Sequence, residues 1–236
     1  MYSMLTSTFY KSLGVEDGSP LTKHFRIKFN HFIFDNLFLP RMKVCEDNGQ
    51  KLTLTKRDRE LIESFSIAKA KAKETEWKGI DNQYRSKREM TGASIEYGLL
   101  KFYGKQAKFD DSIVAKSSRK NYPDLLPLGI ICDIKGSSIN NVPLVFKTTR
   151  SYVCDTGKHI GKKYRCANVI GITDNESVWL LGIASPKVLE TCVDDNLIMI
   201  AENTTKTGFF GAAELVALPP TWKEFSELCS KLSLTT

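Results

Sequence analysis

Apolar positions along this chain change their spacing near residue 123. Before it they recur every three or four residues, the period of a helix with one buried face. After it they come in short, nearly unbroken runs, which read as strands. The first helical pattern predicts a helix from about 55 to about 79. Thr55 can cap it with Asp58 three residues on, and Leu61, Phe65, Ala68 and Ala72 form its apolar stripe. Lys69, Lys71 and Lys73 are expected on the opposite, solvated face. A polar stretch follows, holding a basic knot of Arg85, Lys87 and Arg88. A second helix is predicted over about 91–103, stopped by Gly104, a natural C-terminal residue. Residues 105–122 read as a basic, polar loop.

From Pro123 onward the elements are short. Residues 125–126 and 130–135 are expected as strands, separated by a tight turn at Pro127, Leu128 and Gly129. Further strands are predicted over 142–148, 166–173, 178–184, 197–201 and 213–218. The 166–173 and 178–184 strands pair across a turn at Asp174, Asn175 and Glu176. A last helix opens after Pro220, where Thr221 and Glu224 make a capping box and Phe225, Leu228 and Leu232 supply the apolar face. Helices, then a strand-rich block, then a helix imply an α/β chain: a central mixed β-sheet flanked by helices. Residues 55–236 form that domain, and residues 1–54 an N-terminal extension of uncertain structure. Within the extension Phe25, Phe29, Phe32, Phe34 and Phe38 crowd one stretch, suited to core packing or to a dimer contact.

Composition narrows the classes. The 236 residues are 42% hydrophobic and 26% charged, which excludes a disordered chain. No apolar run nears the roughly 20 residues of a membrane helix. The first ten residues lack a basic start followed by an apolar stretch, so no secretory signal is expected. Six scattered cysteines without a CxxC pair read as reduced thiols of a cytoplasmic protein. His24, His31 and His159 form no ligand cluster. The net charge is +7, and its distribution says more than its size. Residues 41–120 hold 19 Lys and Arg against 12 Asp and Glu, whereas residues 121–236 hold 11 against 12. A basic excess confined to one region favours a polyanionic partner, nucleic acid being the commonest.

The chemistry gathers between Tyr122 and Gly136. On a strand, alternate side chains leave on opposite faces. Ile130, Cys132 and Ile134 then face a core, while Asp133 and Lys135 stand side by side on the other face. Asp124, just before the turn, can fold back beside Asp133. Two adjacent carboxylates repel unless a positive charge lies between them. A hard divalent cation with oxygen ligands satisfies both, and Mg²⁺ favours a few carboxylates plus water. Lys135 could then serve a water that attacks a phosphodiester. Glu96 sits on or beside the apolar stripe of Leu99, Leu100 and Tyr103. It is either a further metal ligand, direct or through water, or a carboxylate that reaches solvent or pairs with a lysine. The plain structural reading of the turn is a surface strand with an Asp133–Lys135 ion pair.

Pro123-Asp124 followed by Asp133-Ile134-Lys135 resembles the signature of PD-(D/E)xK nucleases, the restriction-endonuclease-like superfamily. The helix bearing Glu96, the basic stretch 82–88 before it, and the strand pair after Tyr164 are similar to their counterparts in small phage endonucleases. The likeness spans roughly residues 60–220; residues 1–50 match nothing in it. It implies a restriction-endonuclease-like core in which Asp124, Asp133 and the Ile134 carbonyl bind Mg²⁺, with Mn²⁺ able to substitute. It implies also that Glu96 assists and that Lys135 acts on the nucleophilic water. The chain departs from that pattern in having no clear Gln or second catalytic lysine after Lys135; Lys147 on the next expected strand suits phosphate contact or solvent exposure better than that role. The expected function is metal-dependent hydrolysis of DNA, with Arg85, Lys87, Arg88, Lys116, Arg119 and Lys120 on phosphates. A nuclease for RNA or branched DNA, a non-cutting nucleic-acid binder on the same fold, and a homodimer stay open.

Overall fold

Two runs of apolar residues, each buried on both faces, make the centre of the sheet. Strand β4, Ala167–Thr173, and strand β5, Ser177–Ala184, are buried at every position and pair antiparallel. They are joined at Asp174, whose carboxylate accepts the N–H groups of Glu176 and Ser177 at 2.9 and 2.6 Å, while Asn175 takes a positive φ of 76°. This computed structural model describes residues 10–14, 34–72, 82–111, 123–139, 148–149, 166–185, 199–200, 206–208 and 215–234. Strand β1, Lys51–Thr53, pairs antiparallel with β5, and strand β2, Cys132–Ser138, runs parallel to β4. The order is β1-β5-β4-β2, a four-stranded mixed sheet. Three short strands, β3 (Thr148–Thr149), β6 (Met199–Ile200) and β7 (Lys206–Gly208), form a second set in the order β3-β7-β6.

Among the described residues four α-helices accompany the sheet: α1 (Leu39–Asp47), α2 (Lys56–Ala72), α3 (Asn82–Phe102) and α4 (Trp222–Leu234). Helix α3 lies across one face. A Cβ built at Gly136 of β2 or at Gly171 of β4 would strike the Ile95 side chain, and one at Gly98 would meet Val178 of β5. These glycines let helix and sheet approach closely. Cys132, Ile134, Ala167, Val169, Val178, Leu180 and Ile183 join Ile95, Leu99 and Leu100 in the core beneath the helix. Helix α4 closes the end of this layer. The Ser233 hydroxyl donates to the Ile131 or Cys229 carbonyl and accepts the Ala167 N–H at 2.9 Å, and Phe225 stacks near Tyr103. Helix α1 sits against the other face. Trp179, paired with Ile172, donates its indole N–H to Glu46 at 3.0 Å, and Arg41 donates to the Leu181 carbonyl.

Several expectations change on this frame. The basic stretch at 82–90 is not a polar connection but the first part of α3, since its Gln, Arg, Lys and Glu residues are good helix formers. The helix ends as expected at Gly104, whose φ is 64°, with Lys105 N–H bonded to Leu100 O at 2.6 Å and Gly104 N–H to Lys101 O at 3.0 Å. The stripe of α2 is shifted by one position. Asp58, Ile62, Phe65, Ser66 and Lys69 are buried, while Leu61 is exposed. Residues 125–126 are not a strand: Leu126–Leu128 is a 3₁₀ turn containing Pro127, which has no N–H to give a ladder. Of the expected 213–218 strand, Val216 makes one bridge, to Ile183. The expected extension 1–54 contributes β1 and α1 to the main sheet. Residues 142–147 of one expected strand, residues 15–33 with most of the phenylalanine cluster, and all three histidines lie outside the described residues.

Candidate active site

The turn before β2 is built to return the chain on itself. Leu125 and Ile130 are fully buried and anchor its two ends. Leu125 O accepts the N–H groups of Leu128 and Ile130, and Gly129 N–H reaches Leu126 O at 2.9 Å. Gly129 takes a φ of 79°, open to glycine at no steric cost. Leu125 N–H then bonds Cys132 O at 3.0 Å, so residue 124 is drawn alongside residue 134. The Asp124 carboxylate accepts the backbone N–H of Ile134 at 2.9 Å. In a strand the N–H and C=O of one residue leave on the same side. The Ile134 carbonyl is therefore on the edge that faces Asp124, away from β4.

Pleating separates the neighbours. Gly136 and Gly171 touch α3, so Cys132, Ile134 and Gly136 face that helix while Asp133 and Lys135 face away from it. Lys135 Nζ donates to Asp133 Oδ2, and Asp133 shares a further hydrogen bond with Asp124. Burial and then the Asp124 charge push the Asp133 carboxyl up to about 7, against the opposing pull of Lys135. Burial draws the Lys135 ammonium down, but the Asp133 and Asp124 charges outweigh it and raise it to about 12. The result is two close carboxylates at one edge, with the Lys135 ammonium against Asp133. Sequence alternation foresaw this grouping of Asp124, Asp133 and Lys135.

Glu96 is not gathered with them. It is 1% exposed on the α3 side of the sheet, and Lys69 of α2 reaches it at 3.7 Å. Lys69, expected on the solvated face, is instead buried. Its Nζ stands 3.7 Å from Glu89 as well, and it lies over the Phe65 ring. Two carboxylates and a ring face make that burial tolerable. Glu96 thus follows the lysine-pairing alternative. Among the described residues no group of three His, Cys, Asp or Glu side chains is close enough to hold a metal ion.

The hard-oxygen set at this edge is two carboxylates and one backbone carbonyl. It would suit a small divalent cation, which would offset the charge that burial and then the neighbouring Asp124 make costly on Asp133. No thiol competes as a nucleophile among the described residues: Cys45, Cys132, Cys166 and Cys229 are buried, and burial with the neighbouring Cys229 pushes the Cys132 thiol well up. Arg85, Lys87 and Arg88 fall in the first turns of α3. Lys116, Arg119, Lys120 and Lys147 lie outside the described residues. One site neighbour escaped notice. Asn168 of β4 stands in register with Asp133; the signal was a lone amide inside an otherwise apolar strand. No helix among the described residues is long and apolar enough to cross a membrane. No family model, no curated protein and no solved structure matches the chain.

Proposed function

We propose that the chain is a Mg²⁺-dependent nuclease with a PD-(D/E)xK site on a restriction-endonuclease-like core, and that DNA is its substrate. One observation carries the reading: Asp124 is tied to the Ile134 backbone while its carboxylate meets that of Asp133, and Lys135 lies against the pair.

Asp124, Asp133 and the Ile134 carbonyl would hold the cation, with Mn²⁺ as a substitute. Glu96, engaged with Lys69, is left out of that set. The bound cation would polarise a phosphate oxygen and lower the pKa of water. Lys135 has two tasks in the chain itself. Its ammonium orients a water at the open side of Asp133, and it offsets the negative charge that builds on the phosphate during in-line attack. Asp133 keeps Lys135 charged and fixes its direction. The Asp124–Ile134 hydrogen bond sets the spacing of the two carboxylates. The basic residues Arg85, Lys87, Arg88, Lys116, Arg119 and Lys120 would contact phosphates without reading bases, giving affinity that falls with salt. Such an enzyme would act in the cytoplasm, that of the host if phage-encoded, as a monomer or homodimer.

The test is a digest of plasmid, single-stranded DNA, branched DNA and RNA with Mg²⁺ or Mn²⁺. Asp133→Ala and Lys135→Ala are expected to lose cleavage and keep most binding. A wild-type protein that cuts none of the four overturns the enzyme reading. Cleavage confined to RNA or to branched DNA moves the substrate and leaves the site.

A further inference from the structure

Strand β4 is buried along its whole length, and Asn168 is its one interior polar side chain. Only 1% of it is exposed. An amide set in an apolar strand lowers stability unless its polar atoms are used. Asp133 lies directly opposite it on the parallel strand β2, so the two side chains leave on the same face, the face of Lys135. The Asn168 Nδ2 donates to the Cys166 carbonyl at 3.0 Å. A carbonyl can accept only from the NH₂ end, so this bond settles which way the amide is turned, with its oxygen away from Cys166.

We propose that Asn168 tunes the cation site from the β4 side: in register with Asp133 and opposite the edge that carries the Ile134 carbonyl, its neutral amide sets how tightly the acidic pair holds a divalent ion. This rests on the cation reading given above. The neutrality has a reason: two carboxylates already repel here, and an amide adds an oxygen without adding charge.

The experiment is a calorimetric titration of the full chain with Mn²⁺ alone, for wild type, Asn168→Ala and Asn168→Asp, with melting temperatures measured with and without the ion. Removing a group that orients or completes a metal site weakens binding by roughly 10-fold or more, and that loss is expected for Asn168→Ala. Asn168→Asp should bind Mn²⁺ more tightly than wild type and gain more in Tm when the ion is added. The melting temperatures without the ion show whether each variant still folds, since Asn168→Asp loses the bond to the Cys166 carbonyl, and a purely structural amide would leave the affinity of Asn168→Asp no higher. Affinities of both variants within twofold of wild type overturn the Asn168 assignment and leave the cation reading standing. A wild type that takes up no Mn²⁺ overturns both.

Discussion

Ile95 of α3 lies so close over Gly136 of β2 that a Cβ on the glycine would come within 1.8 Å of the Ile95 Cδ1 and 2.8 Å of the Gly171 carbonyl oxygen. Gly136 directly follows Lys135, so this contact fixes the height of the strand that carries the site. Gly136→Ala should therefore destabilise the protein by about 1–3 kcal/mol, the usual range for overpacking. Part of the obstruction is a flexible side-chain end. Adding Ile95→Val, which deletes that end, should make the double variant more stable than the sum of the two single losses. Urea unfolding of the four proteins measures this. Strict additivity would mean that the two residues do not meet.

The raised Asp133 carboxyl gives the cation-free protein a distinctive pH dependence. In the folded chain Asp133 keeps its proton up to about 7, and unfolded it releases it near 4. Between those values the folded state binds more protons, so stability falls as pH rises through the window. Wild-type protein in chelator is expected to lose melting temperature between pH 5 and pH 8. Asp133→Asn, which cannot ionise, should lose much less, and saturating Mg²⁺ should flatten the wild-type profile by favouring the ionised pair. Parallel melting profiles for wild type and Asp133→Asn would contradict this account.

Lys135 occupies the charge position that a cation would also seek. Its ammonium and a divalent ion both draw on Asp133, so they compete for the same carboxylate. Lys135→Gln is expected to tighten Mn²⁺ binding several-fold while lowering cleavage by about 10²-fold or more, the usual scale for losing a group that stabilises transition-state charge. Affinity and rate moving in opposite directions is the diagnostic. A variant in which both fall together would show that Lys135 only holds the site in shape.

The grouping of Asp124, Asp133 and Lys135 was legible in the sequence because its geometry is local. Asp124, Gly129, Asp133 and Lys135 lie within twelve residues, and two-residue strand alternation with one glycine turn suffices to place them. The α2–α3 layer was not, because its order is set by partners distant in sequence. Lys69 looks solvated on its own helix and is buried because Glu89 and Glu96, on α3, meet its ammonium. The same pairing withdraws Glu96 from the site. The start of α3 at Asn82 was hidden because residues 82–88 are polar or charged apart from Tyr84, with no apolar stripe to read. Parallel pairing of β2 with β4 left no local trace, since its register arises across more than thirty intervening residues. Asn168 became visible as a neighbour of Asp133 only through that register.

Asp58 ties the two helices together and yields the last prediction. Thr55 and Asp58 form the expected box: Thr55 N–H donates to Asp58 Oδ2 at 2.7 Å and Asp58 N–H to Thr55 Oγ1 at 3.2 Å. The same carboxylate also accepts the Tyr97 hydroxyl at 2.5 Å and the Lys101 ammonium at 2.6 Å, both from α3. Burial opposes ionisation here, but the Lys101, Tyr97 and Thr55 hydrogen bonds outweigh it and hold the Asp58 carboxyl well below the usual carboxylate range. A depressed folded value adds stability that is fully present above the unfolded pKa near 4 and is lost as pH falls toward the folded one. Asp58→Asn should thus cost about 2–4 kcal/mol at pH 7, the range for breaking a largely buried charge pair with its hydrogen bonds. The difference from wild type should shrink in denaturant titrations run below pH 4. A penalty that stays constant from pH 7 to pH 3 would mean that the shape of the side chain, not its charge, joins α2 to α3.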